Sequence, residues 1–340
     1  MKITRAKSFA FLRPDGEFVD VDVPLQWNQG LVGRLVRSEY TVRLVVADHV
    51  PAEAEFCKVA VGSGPTIGYA IPGSAVLSPD SPHSADPIYC AYNLLIADAV
   101  CRASMSSQYE LAGDKQHLAT SREGIFQRDA FYLITWDKHL PSPQTFARDF
   151  AVSLCAYGLV FPTLMELPSE LMTSLVADGS TIRLKSTANL PDFVITILGS
   201  LVPYCKNPFL RFFYLYQVVE YLMGEDFDAR VADVRTRLLG NANPSKVELR
   251  DILEKFQDAT REKARINKVL SPECPRTLIS ADSLLSSLGV NEPTASFAER
   301  VYRVRNTIFH DYGVLHSQGA AVASVCQHFY AYLVGKKILA

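Results

Sequence analysis

The alternation of polar and apolar positions changes period about two-fifths of the way along this chain. Up to about residue 140 the period is two. In "EFVDVDVPL", Val19, Val21 and Val23 are separated by Asp20 and Asp22, the mark of a strand with one buried face. "KSFAFL" precedes it, and a Pro14-Asp15-Gly16 turn between the two predicts a hairpin. "YTVRLVVADHV", "EFCKVAVGSG" and "DAFYLITW" are rich in β-branched and aromatic residues and predict further strands. "PIYCAYNLLIADAVCRA" (87–103) predicts a helix. The Pro- and Ser-rich stretches at 78–87 and 140–145 predict a loop and a linker.

From about residue 143 the period becomes helical. "SPQTFARDFAVSLCAYGL" opens on cap-like residues, and "LPSELMTSLVADG" closes on a glycine. Helices follow at "NPFLRFFYLYQVVEYLMGED" (207–226), "DARVADVRTRLLGN" and the charged "SKVELRDILEKFQDATREKARINKVL" (245–270). Two more are expected at 294–312 and 318–338. There is no internal repeat. The fold class predicted is α+β: a β-rich mixed domain at 1–142, then an all-helical domain at 143–340.

Composition narrows the functional classes. Of 340 residues, 34 are Lys or Arg and 36 Asp or Glu, a net charge of −2. That argues against nucleic-acid binding through bulk charge. The balance is uneven: residues 1–200 carry 16 basic against 21 acidic groups, and residues 201–340 carry 18 against 15. The second part therefore tolerates a polyanion better. The seven cysteines are odd in number, scattered and without a C-x-x-C pair, which fits a reduced intracellular protein. The longest apolar stretches fall short of the ~20 residues of a membrane span. The expectation is a soluble, cytoplasmic protein.

Chemistry concentrates near the end, in "RVRNTIFHDYG" (303–313). Phe297, Val301, Val304 and Ile308 recur at spacings of four, three and four, the core stripe of a helix. Beyond that stripe lies an arc bounded by Arg305 and His310, roughly 140° apart at 100° per residue. Tyr302, Asn306 and Phe309 project between them. Tyr and Phe between a cation and an imidazole imply a second buried face, packed against something other than the helix's own core. Upstream, apolar side chains from Phe209 to Leu222 wrap nearly the whole circumference of 207–223, predicting a central helix. Glu220 sits within it, where a buried carboxylate needs a partner. It either pairs with an arginine or caps a tyrosine, or it braces a polar site shared with Arg305 and His310.

"RNTIFH" (305–310) fits the R-x4-H signature of the HEPN superfamily of helical ribonucleases, with a polar residue after the arginine. "FLRFFYLYQVVEYL" resembles the long aromatic, glutamate-bearing helix of HEPN domains in prokaryotic defence and toxin proteins. The resemblance covers 205–340, or 143–340 if the family core is extended, and leaves 1–142 uncovered. It implies a metal-independent endoribonuclease without a cofactor, acting in antiviral defence or as a toxin. It also implies a homodimer through the 294–312 helix, pairing two motifs in one composite cleft. In that chemistry the ribose 2′-hydroxyl attacks the adjacent phosphate, leaving a 2′,3′-cyclic phosphate and a 5′-hydroxyl. An imidazole can take or give the proton, and a guanidinium forks onto phosphate oxygens. His310 is the expected acid or base and Arg305 the phosphate clamp, with Asn306 positioning. Glu220 and Tyr302 support the site, and Tyr302 and Phe309 face the second protomer. RNA is the expected substrate, and 1–142 would sense a trigger or bind a regulatory partner.

Three other readings stand beside this one on the residues. Arg305 and His310 would form a structural cluster paired with acidic residues such as Glu220 or Asp311. An HEPN-like dimer without catalysis would bind RNA or protein through the same surface. His310-Asp311 resembles the HD doublet of metal-dependent phosphohydrolases, but no Asp follows Asp311 and no His lies between His139 and His310, too few ligands for a metal site. His49, His83, His117 and His139 have no partners at ligand spacing and read as surface or loop histidines; His316 reads as a surface histidine and His328 as a helix-face histidine, and none receives a role.

Overall fold

The computed structural model describes residues 2–3, 8–12, 18–22, 39–47, 49, 51–52, 54–76, 78, 81–83, 86–105, 130–140, 142–162, 180–240, 243–290, 295–310 and 316–339. The chain is α+β and divides into two compact units between Asn189 and Leu190.

In the first unit, β1 (Lys2–Ile3), β2 (Ser8–Leu12) and β3 (Phe18–Asp22) form a three-stranded sheet. β2 and β3 pair antiparallel, Ser8 opposite Asp22, as the alternating valines predict. The expected Pro14-Asp15-Gly16 turn lies outside the described residues. The larger sheet holds β4 (Tyr40–Ala47), β5 (Cys57–Val61), β6 (Thr66–Pro72), β7 (Ala130–Trp136), β8 (Leu159–Val160) and β9 (Thr181–Leu184), in the order β8-β4-β7-β6-β5-β9. All neighbours are antiparallel except β5 and β9.

Both faces of this sheet are covered. Tyr132 joins a cluster with Tyr89, Leu94 and Ile96 of α1 (Pro87–Met105). Its neighbours Phe131 and Leu133 point the other way, onto Phe146, Phe150 and Leu154 of α2 (Phe146–Ala156). This two-residue period is that of a strand buried on both sides. β6 was not anticipated, because Gly68 and Pro72 interrupt its pattern. Gly68 is needed there: a Cβ would overlap the Ile134 carbonyl of β7.

The start of the helical part differs from the expected residue 143. α2 packs on the first unit's core, β8 pairs with β4, and β9 pairs with β5. The sequence period changes at 143, but the hydrophobic face of α2 is buried by the sheet.

The second unit is helical. A first stretch begins as α3 (Asp192–Thr196) and continues through Ile197–Leu201 and Val202–Tyr204. Then come α4 (Pro208–Gly240), α5 (Lys246–Thr260), α6 (Glu262–Val269), α7 (Pro275–Ser287), α8 (Phe297–His310) and α9 (Gly319–Leu333). α4 runs 33 residues where two helices were expected. Gly224 did not stop it: no proline follows, and Arg230 bridges one turn back to Asp226 at 2.7 Å. A mid-helix glycine costs only about 1 kcal/mol. Conversely, the run 245–270 breaks at Arg261, whose extended backbone (φ −76°, ψ 117°) ends α5 and starts α6.

α9 packs between α4 and α7, and α8 packs on α4, α6 and α7. Phe212 of α4 stacks on Phe329 of α9 at 6.0 Å, and Phe297 of α8 meets Tyr332 edge-on at 5.4 Å. Among the described residues, no helix is long and apolar enough to cross a membrane.

Candidate functional site

α8 is fixed at its start by a capping box. The Ser296 backbone N–H donates to Glu299 Oε2 at 2.7 Å, and the Glu299 N–H donates to Ser296 Oγ at 3.3 Å. Glu299 also pairs with Lys263 of α6, and Arg300 pairs with Asp282 of α7. The Lys263 bond first, then the Ser296 N–H, hold the Glu299 carboxyl down to about 2. Phe297, Val301, Val304 and Ile308 are all buried, as their spacing predicts.

The opposite arc holds the expected site residues. The Arg305 guanidinium donates to Asn306 Oδ1 at 3.0 Å. Its Cζ lies 4.8 Å from the Phe309 ring centroid and 5.6 Å from that of Tyr216 on α4. Phe309 in turn sits 5.6 Å from Phe213, also on α4. Arg305 is thus braced by two rings and an amide. Its Nε is buried without a hydrogen-bond partner, and no carboxylate pairs with Arg305 among the described residues. Tyr216 is 1% exposed, and its hydroxyl lacks a hydrogen-bond partner among the described residues. Burial pushes this phenol upward, against the lowering influence of Arg305.

The other expected residues fall differently. His310 is the last residue of α8 and is exposed. Among the described residues it makes no hydrogen bond or ion pair with Arg305 or Asn306. Phe309 is 42% exposed, so one edge of the aromatic brace is open. Glu220 is exposed rather than buried and accepts from Gln217 Nε2 at 2.9 Å. The reason is that α4 is not covered all round: Leu210, ten residues earlier, is exposed too. Glu220 therefore needs no arginine, and it acts on Tyr216 only as a nearby charge. Asp311 lies outside the described residues.

Tyr302 is half-buried and lines a cleft of about 420 Å³ between α6 and α8. Among the described residues, Glu262, Lys263, Ile266, Glu299 and Arg303 also line it. Sequence reasoning missed this wall of α6, since nothing in "EKARIN" marks it. It also missed Tyr216 and Phe213 as site residues, though both share a helix face with Glu220 at spacings of four and seven. Among the described residues, no group of three or more His, Cys, Asp or Glu side chains is placed to hold a metal ion.

Chemically, the arrangement offers a fixed guanidinium for an anion, an exposed imidazole one turn further on, and an adjoining cleft with an aromatic wall. Comparison of the chain with protein-family models, with curated proteins and with solved structures finds no match.

Proposed function

We propose that the chain is a metal-independent endoribonuclease whose working helix is α8. The observation that carries the reading is Arg305: a half-buried cation, braced by Tyr216, Phe309 and Asn306, without a carboxylate among the described residues. Buried charges are normally paired, so a braced cation in this state is suited to an anion brought from outside. A phosphodiester provides that anion, and the guanidinium fork matches its oxygens.

In this reading the 2′-hydroxyl attacks the adjacent phosphorus and the P–O5′ bond breaks. His310 moves a proton, either taking it from the 2′-hydroxyl or giving one to the leaving 5′-oxygen. Arg305 stabilises the charge that builds on the phosphate, and Asn306 keeps the guanidinium oriented. Arg305 and His310 project about 140° apart, so the two groups that meet one phosphate come from two protomers. The composite cleft of the HEPN resemblance supplies that pairing, with Phe309 at the contact. The family's defence or toxin role extends the same proposal.

One observation favours a second reading. Among the described residues of one protomer His310 makes no hydrogen bond or ion pair with the other site residues, which suits a dimer that binds RNA or a partner protein without cutting. Incubating the purified protein with tRNA and mRNA in EDTA separates the two. The ribonuclease reading expects fragments ending in 2′,3′-cyclic phosphate and starting with 5′-hydroxyl. Intact RNA, retained by the protein, favours the binding module. Activity abolished by EDTA and restored by a divalent metal contradicts the mechanism.

A further inference from the structure

We infer that the cleft between α6 and α8 seats a guanine base of the RNA, next to the phosphate held by Arg305. This rests on the ribonuclease reading and adds a base preference to it.

The cleft has three kinds of wall. Tyr302, half-buried, offers an aromatic ring on which a flat heterocycle can stack, and the buried Ile266 lies at the floor of the cleft. Lys263 and Arg303 bring positive charge. Glu262 and Glu299 bring carboxylates, and these two are not equivalent. Glu299 spends Oε1 on Lys263 and Oε2 on the Ser296 N–H. Glu262, in the first turn of α6, is exposed and has no ion pair among the described residues. It is the carboxylate with both oxygens to offer.

An ionised carboxylate accepts hydrogen bonds and donates none. Among the four RNA bases, guanine alone presents two adjacent donors on one edge, N1–H and the N2 amine. Adenine and cytosine each set a donor beside an acceptor, and uracil flanks its one N–H with two carbonyl oxygens. A carboxylate meets an acceptor in all three and is repelled. Guanine therefore gains a charge-assisted, two-pronged contact that the others lack.

Position ties this slot to the phosphate site. Arg305 follows Tyr302 by three residues on α8, a rise of about 4.5 Å along the axis. One nucleotide can therefore lay its base on Tyr302 and its phosphate on Arg305.

The test is calorimetric titration of the full chain with 3′-GMP, 3′-AMP, 3′-CMP and 3′-UMP. The expected result is 3′-GMP bound at least about tenfold tighter than the other three, the scale of one charge-assisted hydrogen bond. Inosine 3′-monophosphate, which keeps N1–H but lacks the N2 amine, falls between. Glu262→Gln puts a donor where an acceptor is needed and brings 3′-GMP down to the level of 3′-AMP. Tyr302→Leu weakens 3′-GMP while the Glu262 contact keeps its preference over 3′-AMP. A GpA dinucleotide binds tighter than GTP, as expected for a base within RNA; the reverse order overturns the RNA assignment. Equal affinity for the four nucleotides, or a guanine preference that survives Glu262→Gln, overturns the inference. Mapping of RNA cuts separates it from the reading beneath it. If RNA is cut away from guanine, the guanine seat falls and the ribonuclease stands. If 3′-GMP binds selectively and RNA stays whole, the ribonuclease falls and the guanine seat stands.

Discussion

At the scale of single residues, the site separates groups that hold the fold from groups that are free to act. His310 is exposed and, among the described residues, makes no hydrogen bond or ion pair with the other site residues. Replacing it with alanine should change stability by no more than about 0.5 kcal/mol, read by urea unfolding. Arg305 packs on two rings, so Arg305→Ala should cost about 1–2 kcal/mol from two cation–π contacts. Tyr216 gives the opposite expectation. Its buried hydroxyl lacks a hydrogen-bond partner among the described residues, so Tyr216→Phe should leave the protein as stable or more stable, by up to about 1–3 kcal/mol. The raised phenol has a pH consequence as well. Burial favours its neutral form in the fold, so its contribution is complete below the ordinary tyrosine value and falls as pH rises past it. Tyr216→Phe should flatten part of the alkaline loss of stability above about pH 10. A variant that unfolds more easily at pH 8 would show that the hydroxyl has a partner in solution. The sequence exposed the motif residues because Arg, Asn and His stand out on a helix. It hid Tyr216 because a tyrosine in an apolar run reads as core, and it misplaced Glu220 because surrounding apolar residues do not fix which face is covered.

At the scale of elements, α8 depends on its first turn. Ser296→Ala removes the capping oxygen and should cost about 1 kcal/mol. Glu299 adds a pH dependence of determinate sign. Its carboxyl is held down to about 2 in the fold by Lys263 and Ser296. Its stabilising effect is therefore complete above the ordinary glutamate value of about 4.3, and is lost as pH falls through about 2. Glu299→Gln should remove that dependence, so thermal melts of variant and wild type converge toward pH 2 and separate above pH 5. A gap that stays constant from pH 7 to pH 2 contradicts the capping role. The elements themselves were largely legible: β2, β3, β4, β5, β7, α1 and the core stripe of α8 follow from period alone. β6 was hidden by Gly68, whose value lies in a close backbone approach that no periodicity encodes. The break at Arg261 was hidden because a charged, helix-favouring run continues through it.

At the scale of the molecule, the change of period at residue 143 did not mark the boundary between units. A helix belongs with whatever buries its apolar face, and for α2 that partner is the sheet, set by strand pairing across 84 to 96 residues. Such long-range pairings leave little trace in local pattern. The proposed assembly runs through α8. Phe309 is 42% exposed on the edge of the Arg305 brace, and the proposed homodimer would cover it. Phe309→Glu should yield monomers in sedimentation velocity at micromolar concentration and abolish RNA cleavage with them. A wild-type chain that sediments as a monomer contradicts the composite cleft. The most direct test of the central claim compares RNA cleavage, in EDTA and at matched folded concentration, by wild type, Arg305→Ala and His310→Ala. The account predicts cyclic-phosphate fragments from wild type and a loss of about 10²–10⁴ in rate for each variant. Equal cleavage by wild type and His310→Ala would remove the imidazole from the chemistry and contradict it.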